Sequence, residues 1–187
     1  MLGWPLMLLP IHIVFFELMV DPICSVAFEN EPEETDVMTR PPRPTNAKIF
    51  DKSILLLGVK QGLALLAWVV FVYWFAQKNG FDSEQARTLT FTAMIMGDIW
   101  LILINRSWSR SFFKSLVQPN RILWSVLAAT IGVLIVGIFV PALRTLFHFG
   151  AVQWQYIVLS VVTTAIFTGL ISLIPLFRRK KQNQFTF

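Results

Sequence analysis

The chain has 187 residues, of which 55% are apolar and only 14% charged, with a mean hydropathy of +0.62. Soluble domains carry about 25% charged residues, so this composition excludes an ordinary water-soluble domain. The formal charge of +5 raises nucleic acid as a partner, a reading that the placement of the basic residues removes below.

The apolar residues fall into five runs, at 5–28, 54–76, 88–104, 122–143 and 154–177. Each approaches the roughly 20 residues that cross a bilayer as a helix, the third being the shortest. Spanning segments must satisfy their own backbone hydrogen bonds, so all five are expected to be helices. The expected fold is all-α, a single membrane domain over 1–187 built as a bundle of five transmembrane helices.

The first run contains "FFELMVDPICS", which places Glu17 and Asp21 four residues apart with Pro22 directly behind. An acid inside a membrane segment costs roughly 2.5–3.5 kcal/mol on insertion scales and points to function. Residues i and i+4 share a helix face, so the two carboxylates should repel unless one is protonated or a cation joins them. Carboxylate oxygens suit hard cations, and a proton-coupled site is the variant in which one acid keeps its proton. Pro22 cannot donate to the carbonyl of Leu18, so a kinked or unwound stretch at 18–22 is expected to offer backbone oxygens beside the acids, as in broken transporter helices. The competing reading is that both acids merely bond to neighbouring helices. His12 is expected to be interfacial, and the lone Cys24 a small buried hydrophobe. No basic segment precedes the run and acids interrupt it, so it does not read as a signal peptide.

Residues 29–53 form an acidic, then proline-rich linker, expected to be an extended strap. In the second run Gly58 and Gly62 have the spacing of a close helix contact, a pattern that also arises by chance. In "NGFDSEQAR" Asp82 and Gln85 have the spacing of a capping box that opens the third helix. Lys60 lies six residues in from Ile54, and Asp98 six residues before Ile104. Equal depth in antiparallel neighbours suggests a buried Lys60–Asp98 ion pair, with Asp98 as an extra cation ligand as the alternative. The 105–121 segment reads as an amphipathic loop at headgroup level. Pro141 and "RTLFHFGAVQWQ" read as the turn between the last two helices.

With the N-terminus outside, twelve basic residues fall on inner loops, among them Arg40, Arg43, Lys48, Lys52, Arg106, Arg110, Lys114, Arg121 and the Arg178–Lys181 run. Only Lys78, Arg87 and Arg144 fall outside. This positive-inside asymmetry places the C-terminus in the cytoplasm. The basic balance therefore reports topology, and no nucleic acid is expected as a partner.

"PIHIVFFELMVDPICSVAFENEPEETDVMTRPPR", residues 10–43, resembles the sixth transmembrane helix and following cytoplasmic loop of P-type cation-transporting ATPases, in the branch of the calcium and sodium/potassium pumps. The loop signature "DVMTRPPR" (36–43) carries the resemblance most specifically. The other four helices then correspond to the family's seventh to tenth. The resemblance implies that Glu17 stands where calcium pumps have Asn and sodium/potassium pumps Asp, and that Asp21 is the cation-ligating Asp. Val20 departs from the family's Thr. "FTAMIMGDIWLILI" lacks a match for the acid completing a second calcium site, Asp98 falling some three positions later, which implies one cation site rather than two.

The family's phosphorylated Asp-Lys-Thr-Gly-Thr motif, its Thr-Gly-Glu-Ser motif and its nucleotide-binding segment are not among these residues. The resemblance therefore implies the C-terminal membrane part of a pump in a bilayer, with the cell membrane as the expected location. Glu17 and Asp21 would serve as ligands of the transported cation, with Leu18 and Asp98 as secondary ligands and Pro22 and Lys60 as structural residues. No catalytic residue and no bound cofactor is expected in this chain. The cation is expected to be Ca²⁺ first, with Na⁺, K⁺, Mn²⁺ or H⁺ open. ATP and Mg²⁺ would act only in the parent pump, whose remaining helices and cytoplasmic domains are the expected partners. The alternative is an independent small membrane protein, a channel or a transporter assembly subunit.

Overall fold

The computed structural model describes residues 6–30, 52–106 and 120–173. Most of the 29–53 linker with its "DVMTRPPR" stretch, most of the 105–121 loop, and the Arg178–Lys181 run lie outside the described residues. The helices are α1 (Pro10–Glu29), α2 (Lys52–Lys78), α3 (Ser83–Asn105), α4 (Arg121–Phe139), the short α5 (Pro141–Leu146) and α6 (Trp154–Leu173). No strand occurs among the described residues, so the fold is all-α. Among the described residues four helices are long and apolar enough to cross a membrane, over Leu55–Lys78, Ser83–Asn105, Arg121–Phe139 and Trp154–Leu173; α1, with its acids, is not one of the four.

Local chemistry sets the helix ends. Asp82 caps α3 with a reciprocal box: its carboxylate accepts from the Gln85 N–H at 2.7 Å, and the Gln85 side chain accepts from the Asp82 N–H at 3.2 Å. The capping box anticipated from the sequence is therefore present. It starts α3 at Ser83, five residues earlier than the apolar run at 88, and so places Arg87 inside the helix. Asn120 caps α4 by accepting from the Leu123 N–H at 2.9 Å. Pro141 opens α5 at its first turn, where a missing N–H costs nothing, so the expected run to 143 divides at Val140.

α3 is the central helix. It contacts α2, α6, α1 and α4, while α1 packs chiefly on α4. In its most apolar stretch α3 is 67% buried, against 17% for α2 and 22% for α6. A helix surrounded by protein need not be greasy, and α3 accordingly carries Thr88, Thr90, Thr92 and Asp98. The hydroxyls of Thr90 and Thr92 return to the carbonyls of Ala86 and Thr88, which satisfies them inside the helix's own backbone. Polar bonds tie the outer helices to this centre. The Ser160 hydroxyl donates to the Leu89 carbonyl at 3.1 Å, and the Trp68 indole N–H donates to the Thr164 hydroxyl at 2.9 Å.

Gly97 permits the close approach of α2 to α3: a Cβ there would overlap Leu65. Gly58 and Gly62 do not serve this purpose, since a Cβ at either would meet nothing within 4 Å. Their spacing marks no packing contact among the described residues.

Candidate functional site

α1 buries one face of its helix. His12, Phe15 and Met19 are buried, and Phe16 and Cys24 pack against the same apolar cluster. Glu17 and Asp21 fall away from that face by helical rotation and are exposed. The two carboxylates therefore form a strip one turn apart on the open side of α1, next to Ile13 and Val14, which are 54% and 68% exposed.

Helical structure runs without a break from Pro10 to Glu29, through Pro22. The unwound stretch expected at 18–22 is not formed. One proline removes one hydrogen bond and leaves the bonds on either side intact, and the Ser25 hydroxyl adds a bond to the Asp21 carbonyl at 2.7 Å. The Leu18 carbonyl still lacks its intrahelical donor, because Pro22 has no N–H. Leu18 and Pro22, however, line an apolar groove of about 440 Å³ between α1 and α4, with Met19, Ser125, Ala129 and Thr130. Glu17 and Asp21 are not in its lining. The structure thus separates features that are adjacent in the sequence: the acids occupy one strip of α1 and the turn at Pro22 opens onto another.

Asp98 is not brought to Lys60. Gln61 and Asn105 pair by their side-chain amides, with the Asn105 Nδ2 donating to Gln61 Oε1 at 2.9 Å. This sets the register of α2 on α3 so that Lys60 lies level with the end of α3. Asp98 is seven residues deeper than Asn105, about 10 Å along the axis. Counting from the ends of the apolar runs sets Ile54 against Ile104, whereas it is Gln61, seven residues further along α2, that faces Asn105. Asp98 Oδ2 is buried with no hydrogen-bond partner. Among the described residues no three His, Cys, Asp or Glu side chains converge in a metal-binding group.

His12 departs furthest from its expected place. It is fully buried inside the protein rather than lying on its surface. Its Nδ1 accepts from the Leu9 N–H at 2.9 Å, which places the ring proton on Nε2, and Nε2–H donates to the Phe147 carbonyl. The ring stacks on Phe149, with centroids 5.0 Å apart at 16°. Around it, the carbonyls of the segment after α5 are taken up by side chains from α3. Arg87 donates to the His148 carbonyl at 2.9 Å and to the Leu6 carbonyl at 3.1 Å. Gln85 donates to the Ala151 carbonyl, and the Gly150 N–H donates to the Thr88 hydroxyl at 2.9 Å. His148 sits at φ 49° to allow the turn, and Gly150 packs directly on the α3 backbone, where a Cβ would lie 2.7 Å from the Glu84 carbonyl carbon. The sequence offered one signal for this lock, the capping box that pulls Arg87 and Thr88 into α3.

The architecture is that of a multi-pass membrane bundle with a two-carboxylate strip left open on one helix. The chain belongs to the family described as cation transporting ATPase, C-terminus, which it matches over residues 5–177; it is the C-terminal membrane region of a P-type cation ATPase. It is 29% identical over 140 residues to a protein named calcium-transporting ATPase 1 from Yarrowia lipolytica, covering 74% of this chain and 15% of that protein. It is 26% identical over 149 residues to the human calcium-transporting ATPase type 2C member 1, covering 79% of this chain and 16% of that protein. A calcium-transporting ATPase of Bacillus subtilis is 26% identical over 189 residues, covering 97% of this chain and 20% of that protein. The chain thus spans about a fifth or less of the length of these relatives.

Proposed function

We propose that this chain supplies part of the transported-cation site of a P-type pump, with Glu17 and Asp21 as ligands and Asp98 as a secondary, buried carboxylate. The observation that carries this reading is the exposed strip of two acids on an unbroken helix packed on the membrane bundle, in a chain of the cation-ATPase C-terminal family. Acids left open in lipid are costly, and helices from the rest of the pump that bring further oxygens and a cation would offset that cost. The Leu18 carbonyl serves as a ligand only if the turn at Pro22 rotates toward the acids in the assembled pump. Lys60 and Pro22 act structurally.

Ca²⁺ is the first cation we assign, because the relatives named above are calcium-transporting and carboxylates favour hard cations. Na⁺, K⁺, Mn²⁺ and H⁺ are the other outcomes of the same ion titration. ATP and Mg²⁺ act on the cytoplasmic domains outside this chain, which alone does not hydrolyse ATP. In this reading the protein is a multi-pass protein of the cell membrane with α1 entering from outside and the C-terminus in the cytoplasm.

The test joins this chain to the preceding helices and catalytic domains and measures ion-stimulated phosphorylation. Asp21→Asn and Glu17→Gln are each expected to abolish it. Wild-type ion dependence in both variants would sink the site assignment. Ion flux through the reconstituted chain by itself would instead favour an independent channel.

A further inference from the structure

We propose that His12 is a positioning residue for the cation site, fixing the depth and rotation at which α1 presents Glu17. The inference rests on the reading of Glu17 and Asp21 as cation ligands and adds the device that holds them in register.

His12 stands five residues before Glu17, about 7.5 Å along the helix axis. It is joined to the rest of the bundle by two directed bonds. The Nδ1 bond to Leu9 N–H closes the first turn of α1, where helix donors otherwise lack partners. The Nε2–H bond to the Phe147 carbonyl reaches across to the segment that follows α5. That segment is itself held by Arg87, Thr88 and Gln85 of α3. The imidazole therefore links the start of α1 to the central helix through one carbonyl. Arg87 reinforces the link by also holding the Leu6 carbonyl, just ahead of α1.

Between His12 and Glu17 every backbone hydrogen bond of the helix is available, so the two move as one rigid body. The one missing bond, between Leu18 and Pro22, does not interrupt the helix, so rotation of α1 at His12 is passed to Glu17 and on to Asp21. A ligand displaced by a fraction of an ångström weakens coordination without removing the carboxylate, which separates positioning from ligation.

Two substitutions divide the two bonds. His12→Gln can keep a donor at the Nε2 position for Phe147, and His12→Asn can keep an acceptor at the Nδ1 position for Leu9 but is too short to reach Phe147. In the pump assembled from this chain and its preceding part, with Ca²⁺ as the varied ion, phosphorylation from ATP is measured against ion concentration. His12→Gln is expected to keep the wild-type half-saturating concentration. His12→Asn is expected to raise it about fivefold, the scale of one lost hydrogen bond, with the maximal phosphoenzyme level unchanged. Equal half-saturation in the two variants overturns the proposal, and so does the loss of both from the membrane, which would assign His12 to folding alone. Glu17→Gln is the control: unaltered ion dependence there removes the cation-site reading itself, whatever His12 does.

Discussion

Gln61 and Asn105 face each other across α2 and α3 and exchange amide bonds, at 2.9 Å in one direction and 3.4 Å in the other. In lipid such a pair fixes axial register, because sliding either helix by one turn would strip polar groups of their partners. This register keeps Lys60 and Asp98 apart. In a double-mutant cycle of Lys60→Met and Asp98→Asn, we expect a coupling energy below about 0.5 kcal/mol in detergent unfolding, as for sites without a shared partner. Coupling of several kcal/mol would restore the ion pair.

Asp98 itself should trade stability for function. Its buried Oδ2 lacks a hydrogen-bond partner, and a neutral amide is cheaper to bury than an unpaired carboxylate. Asp98→Asn is expected to stabilise the chain against thermal unfolding by about 1 kcal/mol, while lowering the apparent cation affinity of the assembled pump. A variant that is both less stable and normal in affinity contradicts this.

Gly97 and Leu65 form a size-matched pair. Gly97→Ala should destabilise the bundle by about 2 kcal/mol through overlap with Leu65. Leu65→Ala alone should cost a similar amount, about 2–4 kcal/mol, by leaving a cavity. The double variant should be less destabilised than the two effects added, because the new methyl occupies part of the vacated space. Thermal unfolding of the four proteins measures the non-additivity.

Gly150 is placed against backbone rather than against a side chain, so no neighbour can rotate away. A Cβ would lie 2.8 Å from the Gln85 Cα and 2.7 Å from the Glu84 carbonyl carbon. We expect Gly150→Ala to cost about 3 kcal/mol, at the upper end of overpacking effects, and to increase protease cleavage near 147–151. Wild-type resistance would mean that the α3 N-terminus yields at that contact.

The bundle was legible in the sequence because long apolar runs have few structural solutions in lipid. The acids of α1 were legible for the same reason, since nothing in an apolar run hides them, and their four-residue spacing fixed their shared face. What could not be read was anything set by a partner helix. Lys60 and Asp98 were matched by counting from run ends, whereas the true register comes from Gln61 and Asn105, two amides that look ordinary in the sequence. His12 looked interfacial because its burial depends on Phe147 and Phe149, more than 130 residues away. Pro22 was given too much influence: the bonds on either side of it carry the helix through. Arg87 was within reach, because the Asp82–Gln85 box implied a helix that already included it.

The open acid strip on α1 also constrains how the protein is made. A lipid-facing carboxylate pair is a poor passenger for a helix entering the bilayer alone, at roughly 2.5–3.5 kcal/mol per charge. The apolar stretch of α6 holds no charged residue and carries no such penalty. Biogenesis should therefore be staged, with α6 able to settle early and α1 retained near the insertion machinery until acid-covering helices arrive. In a cell that separated this chain from those helices, α1 would be the element left with two uncovered acids.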